Sequence, residues 1–265
     1  MEIIGYLLAA LVGVTLGLMG SGGSILTVPI LVYVMGVEPV AATAYSLFIV
    51  GTTALVGGIQ NARLGKVDYT TVLVFGLPAL LGVYVTRLWL VPMIPGEIFS
   101  VGSLMITKPI ALMLLFAIVM IMASVSMIRS GKKQELSEEK PMKYNYPMIL
   151  LEGTVVGVLT GLVGAGGGFL IIPALVLLAR MPMKLAVGTS LFIIAGKSLI
   201  GFTGDIQSGQ SIDWKLLIIF AAFAISGIFV GIKLSSKIAG EKLKKGFGWF
   251  ILLMGIYIII KELFL

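Results

Sequence analysis

The chain has 265 residues, of which 58% are hydrophobic and 12% charged, with no cysteine and no histidine. A soluble domain carries about 25% charged residues, so most of this surface must face something other than water. Disulfide and thiol chemistry, and histidine-based metal or acid–base sites, are excluded. The net charge of +7 does not indicate nucleic acid, because the basic residues are scattered through short loops, as they are in the cytoplasmic loops of membrane proteins.

Hydrophobic runs predict five helical elements at about 2–19, 24–36, 40–62, 69–94 and 108–128. The polar stretch Arg129–Asn145 follows, and then five more elements at about 147–163, 168–180, 185–204, 213–238 and 243–264. Runs such as Ile110–Ile128 and Leu216–Val230 hold no charge and approach the ~20 apolar residues a bilayer demands. Met1-Glu2-Ile3-Ile4 lacks the basic start of a cleavable signal peptide, so the first hydrophobic stretch is expected to remain. The second element of each half is short. At ~1.5 Å per residue it reaches only ~18–20 Å, against a hydrocarbon core of ~30 Å.

The two halves repeat. Gly17-Leu18-Met19-Gly20-Ser21-Gly22-Gly23-Ser24 returns as Gly161-Leu162-Val163-Gly164-Ala165-Gly166-Gly167-Gly168, an offset of 144 residues. In the same register Pro29 meets Pro173, Ser46-Leu47-Phe48 meets Ser190-Leu191-Phe192, Leu55 meets Leu199, Gly57 meets Gly201 and Gly65 meets Gly209. A glycine cluster, a proline and a triplet in one register mark a duplication. The chain therefore divides into a first transmembrane repeat, 1–128, a cytoplasmic linker, 129–145, and a second transmembrane repeat, 146–265.

If elements one and two of a half formed a single broken pass, the repeats would be parallel. If they are two passes or a re-entrant hairpin, the count is odd and the repeats are inverted. Arg129, Lys132, Lys133, Lys140 and Lys143 put 129–145 in the cytoplasm. The inverted arrangement then also places Arg63, Lys66, Arg180, Lys184 and the Lys233–Lys245 cluster inside, and leaves Arg87, Lys108, Lys215 and Lys261 toward the outside. The parallel arrangement exports the Lys233–Lys245 cluster, against the positive-inside rule. Trp89 and Trp214 are then expected near the outer interface, with Tyr69, Tyr144, Tyr146 and Trp249 near the inner one. The expected fold is all-α and integral to the membrane: two inverted-topology repeats of about five helical elements each, with Gly-broken short second helices meeting near the midplane.

Those short helices would aim their N-termini, at Gly22-Gly23-Ser24 and Gly166-Gly167-Gly168, into the hydrocarbon. Free N–H groups there cost several kcal/mol each unless something accepts from them. A helix N-terminus carries about half a positive charge and suits an anion. Broken helices ending at depth are a feature of secondary transporters built from inverted repeats. By contrast, Gly13-x3-Gly17 and Gly153-x3-Gly157-x3-Gly161 are small-residue spacings expected to pack helices together. Neither cluster is a phosphate-binding loop, since no Gly-Lys-Ser/Thr follows.

Polar residues within the spans complete the candidate set. Lys197 lies mid-element, where a charge is costly and functional by default; its counterpart is Thr53. Ser46 and Ser190, next to Tyr45 and Thr189, would donate hydroxyls to an anion or bond back to a helix carbonyl. Asn61 and Asp205 also match, as helix-capping or gating groups, and Glu152 is either a proton carrier or a solvated surface carboxylate. The candidate substrate-binding residues are Gly22, Gly23, Ser24, Ser46, Gly166, Gly167, Gly168, Thr189, Ser190 and Lys197.

These segments resemble the sulfite exporter TauE/SafE family, also called the toluene sulfonate uptake permease family. The resemblance rests on the paired Gly-rich segments followed by Pro29 and Pro173, on the Ala-x-x-x-Ser-Leu-Phe pattern at Ala42–Phe48 and Ala186–Phe192, and on Gly65 before Val67-Asp68 and Gly209 before Ile212-Asp213. It covers nearly the whole chain. It implies an inner-membrane, multi-pass carrier of sulfite, thiosulfate or an organosulfonate, coupled to a proton or sodium gradient and needing no cofactor. The family is described with seven or eight spans, which ten elements satisfy if each short element is half of a hairpin. The first cluster, Gly-Ser-Gly-Gly-Ser, is more polar than the second, Gly-Ala-Gly-Gly-Gly. An anion channel, or a carrier of a different small organic anion, is the alternative. A membrane enzyme is disfavoured by the missing His and Cys and by the lack of a tight carboxylate pair in the spans.

Overall fold

The computed structural model describes residues 2–20, 22–101, 104–129, 146–164, 168, 171–172, 175, 181–235 and 240–264. Gly166 and Gly167, and 130–145 of the linker, lie outside the described residues. Helix α1 (Glu2–Met19) is followed by the short α2 (Gly23–Val34), then α3 (Pro39–Arg63) and α4 (Tyr69–Met93). After α4 come α5 (Lys108–Arg129), α6 (Tyr146–Val163), α7 (Met183–Gln207), α8 (Trp214–Ser235) and α9 (Gly240–Phe264). Gly168, Ile171, Ile172 and Leu175 are helical as well. Among the described residues five helical stretches are long and apolar enough to cross a membrane: Pro39–Arg63, Tyr69–Met93, Lys108–Val125, Leu185–Gln207 and Trp214–Ser235. The chain is an all-α, multi-pass membrane protein. Its only described sheet, absent from the sequence reading, is a hairpin of β1 (Glu97–Val101) and β2 (Leu104–Thr107) between α4 and α5.

The helix ends are made by matching residues in the two halves. Asp68 caps α4 by accepting from the Thr71 N–H at 3.3 Å, and Asp213 caps α8 by accepting from the Leu216 N–H at 3.1 Å. Such caps satisfy amides that the first helical turn leaves without partners. At the far end of α3, Lys66 N–H donates to the Asn61 carbonyl and Gly65 N–H to that of Ala62; after α7, Gln210 and Gly209 donate likewise to Asp205 and Ile206. This is the paired hydrogen-bond pattern of a Schellman ending. Between Gly65 and Asp68 the loop is one residue shorter than its counterpart, so the repeat offset becomes 145 from Asp213 onward.

α1 stops at Gly20 and α6 at Gly164, with φ of 74° and 73°, a left-handed conformation that only glycine adopts at little cost. After Gly20 the chain doubles back. A Cβ on Gly23 would lie 2.6 Å from both the Val12 carbonyl and the Leu16 nitrogen, and one on Gly5 would lie 2.8 Å from the Met35 side chain. α1 and α2 are therefore an antiparallel hairpin. Its outer end is tied to α9, where the Tyr33 hydroxyl donates to Glu262 at 2.8 Å and Lys261 Nζ stands 4.3 Å from the Tyr33 ring centre.

Packing runs across the halves more than within them. α1 lies on α8 and α6 on α4; α3 also meets α8, α7 also meets α4, and α3 pairs with α7 and α5 with α9. Exchanging the two halves maps this set of contacts onto itself. Individual contacts obey the same exchange. A Cβ on Gly13 would overlap the Ala224 carbonyl, and one on Gly157 would overlap that of the equivalent Ala79. Phe48 packs on Trp214 with ring centres 6.3 Å apart, and Phe192 packs on Tyr69 at 6.1 Å. The Tyr45 hydroxyl accepts the Asp213 N–H at 2.7 Å, and the hydroxyl of the matching Thr189 accepts the Asp68 N–H at 2.9 Å. The glycine spacings thus seat helices backbone to backbone, as expected.

Two hydrophobic cores result. One is built around α1, α2 and α8 with α5 and α9, and the other around α4, α6 and α7; α3 contributes to both. The apolar stretches of α3 and α7 are the most enclosed, 67% buried against 39% for α4 and α8. Gly51 approaches Leu199 and Gly58 approaches Phe192, so α3 and α7 run antiparallel. Equivalent spanning helices that run antiparallel are compatible with inverted repeats.

Gly13→Ala and Gly157→Ala are each expected to cost about 1–3 kcal/mol, because the added methyl meets a carbonyl fixed in its helix. Gly196→Ala, where a Cβ has nothing within 4 Å, is expected to hold or slightly raise stability. Thermal unfolding in detergent reads all three, and wild-type melting of the first two variants would show that these helices are not locked by their glycines.

Candidate functional site

Halfway along α7, Lys197 is enclosed, with 1% of its surface exposed. Its Nζ donates to the Thr160 hydroxyl at 2.9 Å, and that hydroxyl donates to the Val156 carbonyl at 2.6 Å. Among the described residues no carboxylate lies within 4.0 Å of Lys197. Its side chain therefore does not snorkel to an interface. It ends at a neutral hydroxyl in the last turn of α6, whose carbonyl accepts the Gly164 N–H at 2.8 Å. The buried amine thus stands beside the second glycine break.

A second basic group approaches the same break from α4. A Cβ on Gly164 would overlap Thr43, whose hydroxyl accepts from Arg87 Nη1 at 3.0 Å and donates to the Val40 carbonyl at 2.7 Å. The same Nη1 is 3.2 Å from Asp205 Oδ1 in α7. Arg87 is 0% exposed and lies in a π-helical turn, Thr86–Leu90, that interrupts α4. Wide turns of this kind occur often at functional positions. Arg87 Nε and Nη2 and Asp205 Oδ2 are buried with no hydrogen-bond partner among the described residues. The Arg87–Asp205 pair thus stands at the end of α6 beside Gly164, and Lys197 reaches the same helix one turn earlier, at Thr160; all three side chains are buried.

The first break has none of this. Counting by the repeat, the positions of Lys197, Thr160, Arg87, Asp205 and Thr43 are taken by Thr53, Leu16, Ile232, Asn61 and Val187. Gly20 packs directly on Val187, where a Cβ would lie 2.7 Å from Cγ1. Thr53 donates to the Ile49 carbonyl at 2.6 Å, and Asn61 to that of Gly57 at 2.9 Å. At these five positions the first break carries no charge; the second is charged.

The remaining sequence candidates divide between the two places. Gly22, Gly23 and Ser24 form the turn into α2. Ser24 is buried, and the open face of Gly23 is filled by α1. Ser46 is buried with an unpartnered hydroxyl, whereas Ser190 donates back to the Val187 carbonyl at 2.9 Å. Thr189 is the loop clasp to Asp68. Gly168 is buried and helical, while Gly166 and Gly167 lie outside the described residues. Glu152 is half-buried on α6. Sequence reading missed Arg87, counted as an outward-facing charge, and left Asp205 between capping and gating. A usable signal existed: charges inside spans pair, and Asp205 lies in the apolar span Leu185–Gln207.

Comparison with known proteins agrees with this architecture. The profile of the sulfite exporter TauE/SafE family matches residues 5–258. A probable membrane transporter protein of Xylella fastidiosa is 32% identical over 256 residues, covering 94% of this chain and 91% of its own. The probable membrane transporter protein YunE of Bacillus subtilis is 29% identical over 262 residues, covering 89% and 88%. A probable membrane transporter protein of Haemophilus influenzae is 25% identical over 274 residues, covering 96% and 97%. No solved structure matches. With a family profile fitting nearly end to end and relatives aligned over most of both lengths, the chain belongs to the sulfite exporter TauE/SafE family of membrane transporters.

Proposed function

We propose that the chain is a secondary transporter that moves a small sulfur-containing anion, of the sulfite, thiosulfate or organosulfonate type, across the inner membrane by alternating access. The observation that carries this reading is Lys197: an amine enclosed mid-helix, beside a glycine break, with no carboxylate within 4.0 Å among the described residues. A buried charge with no counter-ion is costly, and an anion bound beside it relieves that cost. Amides of the second glycine cluster, Gly166-Gly167-Gly168, and the Ser46 hydroxyl are the further donors in this reading. Charge-assisted hydrogen bonds contribute about 1.5–3 kcal/mol each, so a few of them, less the dehydration of the anion, give micromolar to millimolar binding. That range lets a carrier release its cargo.

Carrier rather than channel is supported by the seam between α3 and α7. At one end of it Gly20 packs on Val187 and Gly188 on the Lys66 carbonyl; at the other Gly164 packs on Thr43, beside Arg87. A channel needs a continuous polar path, whereas the described facing residues of this seam between those ends are largely apolar, with Gly51 against Leu199 and Gly58 against Phe192. The lysine and arginine distribution puts 129–145 inside and both ends of the chain outside, with the Thr43–Arg87 end of the seam toward the outer face.

In proteoliposomes, labelled sulfite is expected to show saturable counterflow, and imposed proton or sodium gradients identify the driving ion. Large non-saturating currents would favour a channel. Lys197→Met is expected to abolish counterflow while leaving yield and melting close to wild type or better, since it removes a buried charge; full transport by this variant would remove the lysine from the site. A reporter fused at Leu265 is expected to be active only outside the cytoplasm, and a cytoplasmic signal would overturn the inverted topology.

A further inference from the structure

The geometry points to Arg87 as a second seat for the anion: the Nε–Nη2 edge of its guanidinium takes two oxygens of one ligand, so the cargo class is an oxyanion carrying two oxygens on a single atom. The inference rests on the anion-carrier reading above and specifies its chemistry. A guanidinium holds five N–H donors in a rigid plane. Both described partners of Arg87 take the same nitrogen, Nη1: the Thr43 hydroxyl at 3.0 Å and Asp205 Oδ1 at 3.2 Å. That fixes the plane from one side. The opposite edge, Nε–H with the parallel hydrogen of Nη2, is buried and has no partner among the described residues.

An arginine serving only as a structural ion pair would be expected to spend its paired edge on the carboxylate, because two parallel hydrogen bonds to Asp205 are stronger than one. Here the paired edge is withheld and a single nitrogen does the anchoring. Two parallel donors match the oxygen spacing of a sulfite, sulfonate or carboxylate group, and offer nothing special to a spherical anion. Thr43 and Asp205 act through Arg87 and are positioning residues. Lys197, joined to the same break through Thr160 and Gly164, supplies unshaped charge, so affinity and shape selection come from different residues. The equivalent of Arg87 in the second half is Ile232, which leaves a single such seat in the duplicated fold.

The test uses the full chain in proteoliposomes, labelled sulfite as the probe, and unlabelled thiosulfate and chloride as competitors. Wild type is expected to take up sulfite saturably, with thiosulfate competing far better than chloride. Absence of saturable uptake in wild type would overturn the carrier reading itself, and this inference with it. Where wild type transports, the variants judge the inference alone. Arg87→Lys keeps the charge and loses the fork, and is expected to raise the half-saturating sulfite concentration at least about tenfold while chloride inhibition stays near its wild-type value. Thr43→Val, nearly isosteric, removes one anchor of Nη1 and is expected to shift the sulfite-to-chloride preference in the same direction by about 3- to 10-fold. If Arg87 is merely structural, both variants lower yield or maximal rate for every anion equally and leave the preference unchanged, and that result overturns the proposal. Should Arg87→Lys fail to give monodisperse protein, the preference of Thr43→Val decides alone, an unchanged ratio counting against the seat.

Discussion

Hydrocarbon offers no hydrogen bonds, so every amide, carbonyl and charge placed inside the bilayer must find its partner within the protein. Where the chain obeys this completely, the outcome is structural: caps at Asp68 and Asp213, paired endings after α3 and α7, and threonines that bond back to their own helices. Where it does not, buried atoms are left without a partner among the described residues: Arg87 Nε and Nη2, Asp205 Oδ2, and the side-chain oxygens of Thr27, Ser46, Gln60 and Ser198; of these only Arg87 and Asp205 carry charge. The contrast is sharp because the duplicated half supplies an internal control. Asn61 replaces Asp205 and Ile232 replaces Arg87, and nothing at those two positions is left wanting among the described residues.

The same lack of water removes the hydrophobic effect as a glue between spans, so close packing must do that work. Gly13 and Gly157 bring α1 onto α8 and α6 onto α4 at backbone contact, and these are pairings between halves. The repeats are therefore units of sequence, while the units of packing each mix both. The first and third helices of one half hold the fourth helix of the other. α3 and α7 face each other antiparallel between the two cores. Motion at that seam would leave the glycine-locked pairs intact, so alternating access on this frame would turn on the α3–α7 contact.

Much of this was legible before any coordinates. Long apolar runs set the helix positions to within a few residues, and the repeat showed that α1 and α6 break at equivalent glycines because both carry the same motif. The site was less legible, for physical reasons. Arg87 and Asp205 are 118 residues apart in sequence, and counting charges by topology treats an arginine near a helix end as solvated. Which face of a glycine is occupied is invisible in a string of letters: Gly23 reads as a ligand loop, yet its open face is filled by α1. Thr189 reads as a donor to an anion, and the clasp its hydroxyl makes by accepting from the Asp68 amide, 121 residues away, is invisible in the sequence. The hairpin β1–β2 escaped because its strands are short, although Gly102-Ser103 between them is a two-residue turn signal.

Asymmetry is the last step the duplication imposes. Two identical halves would place identical groups at both breaks, and an anion would then meet the same attraction at two sites across the membrane. Arg87 and Asp205 stand at the Gly164 break and Lys197 reaches Thr160 one turn before it, while Val187 stands at the Gly20 break and Leu16 one turn before it, so the two breaks differ in charge although their backbones match. The charge at the second break is itself shared between the halves, Arg87 and Thr43 coming from the first and Lys197, Thr160 and Asp205 from the second, so the asymmetry belongs to the packed pair and not to either repeat alone.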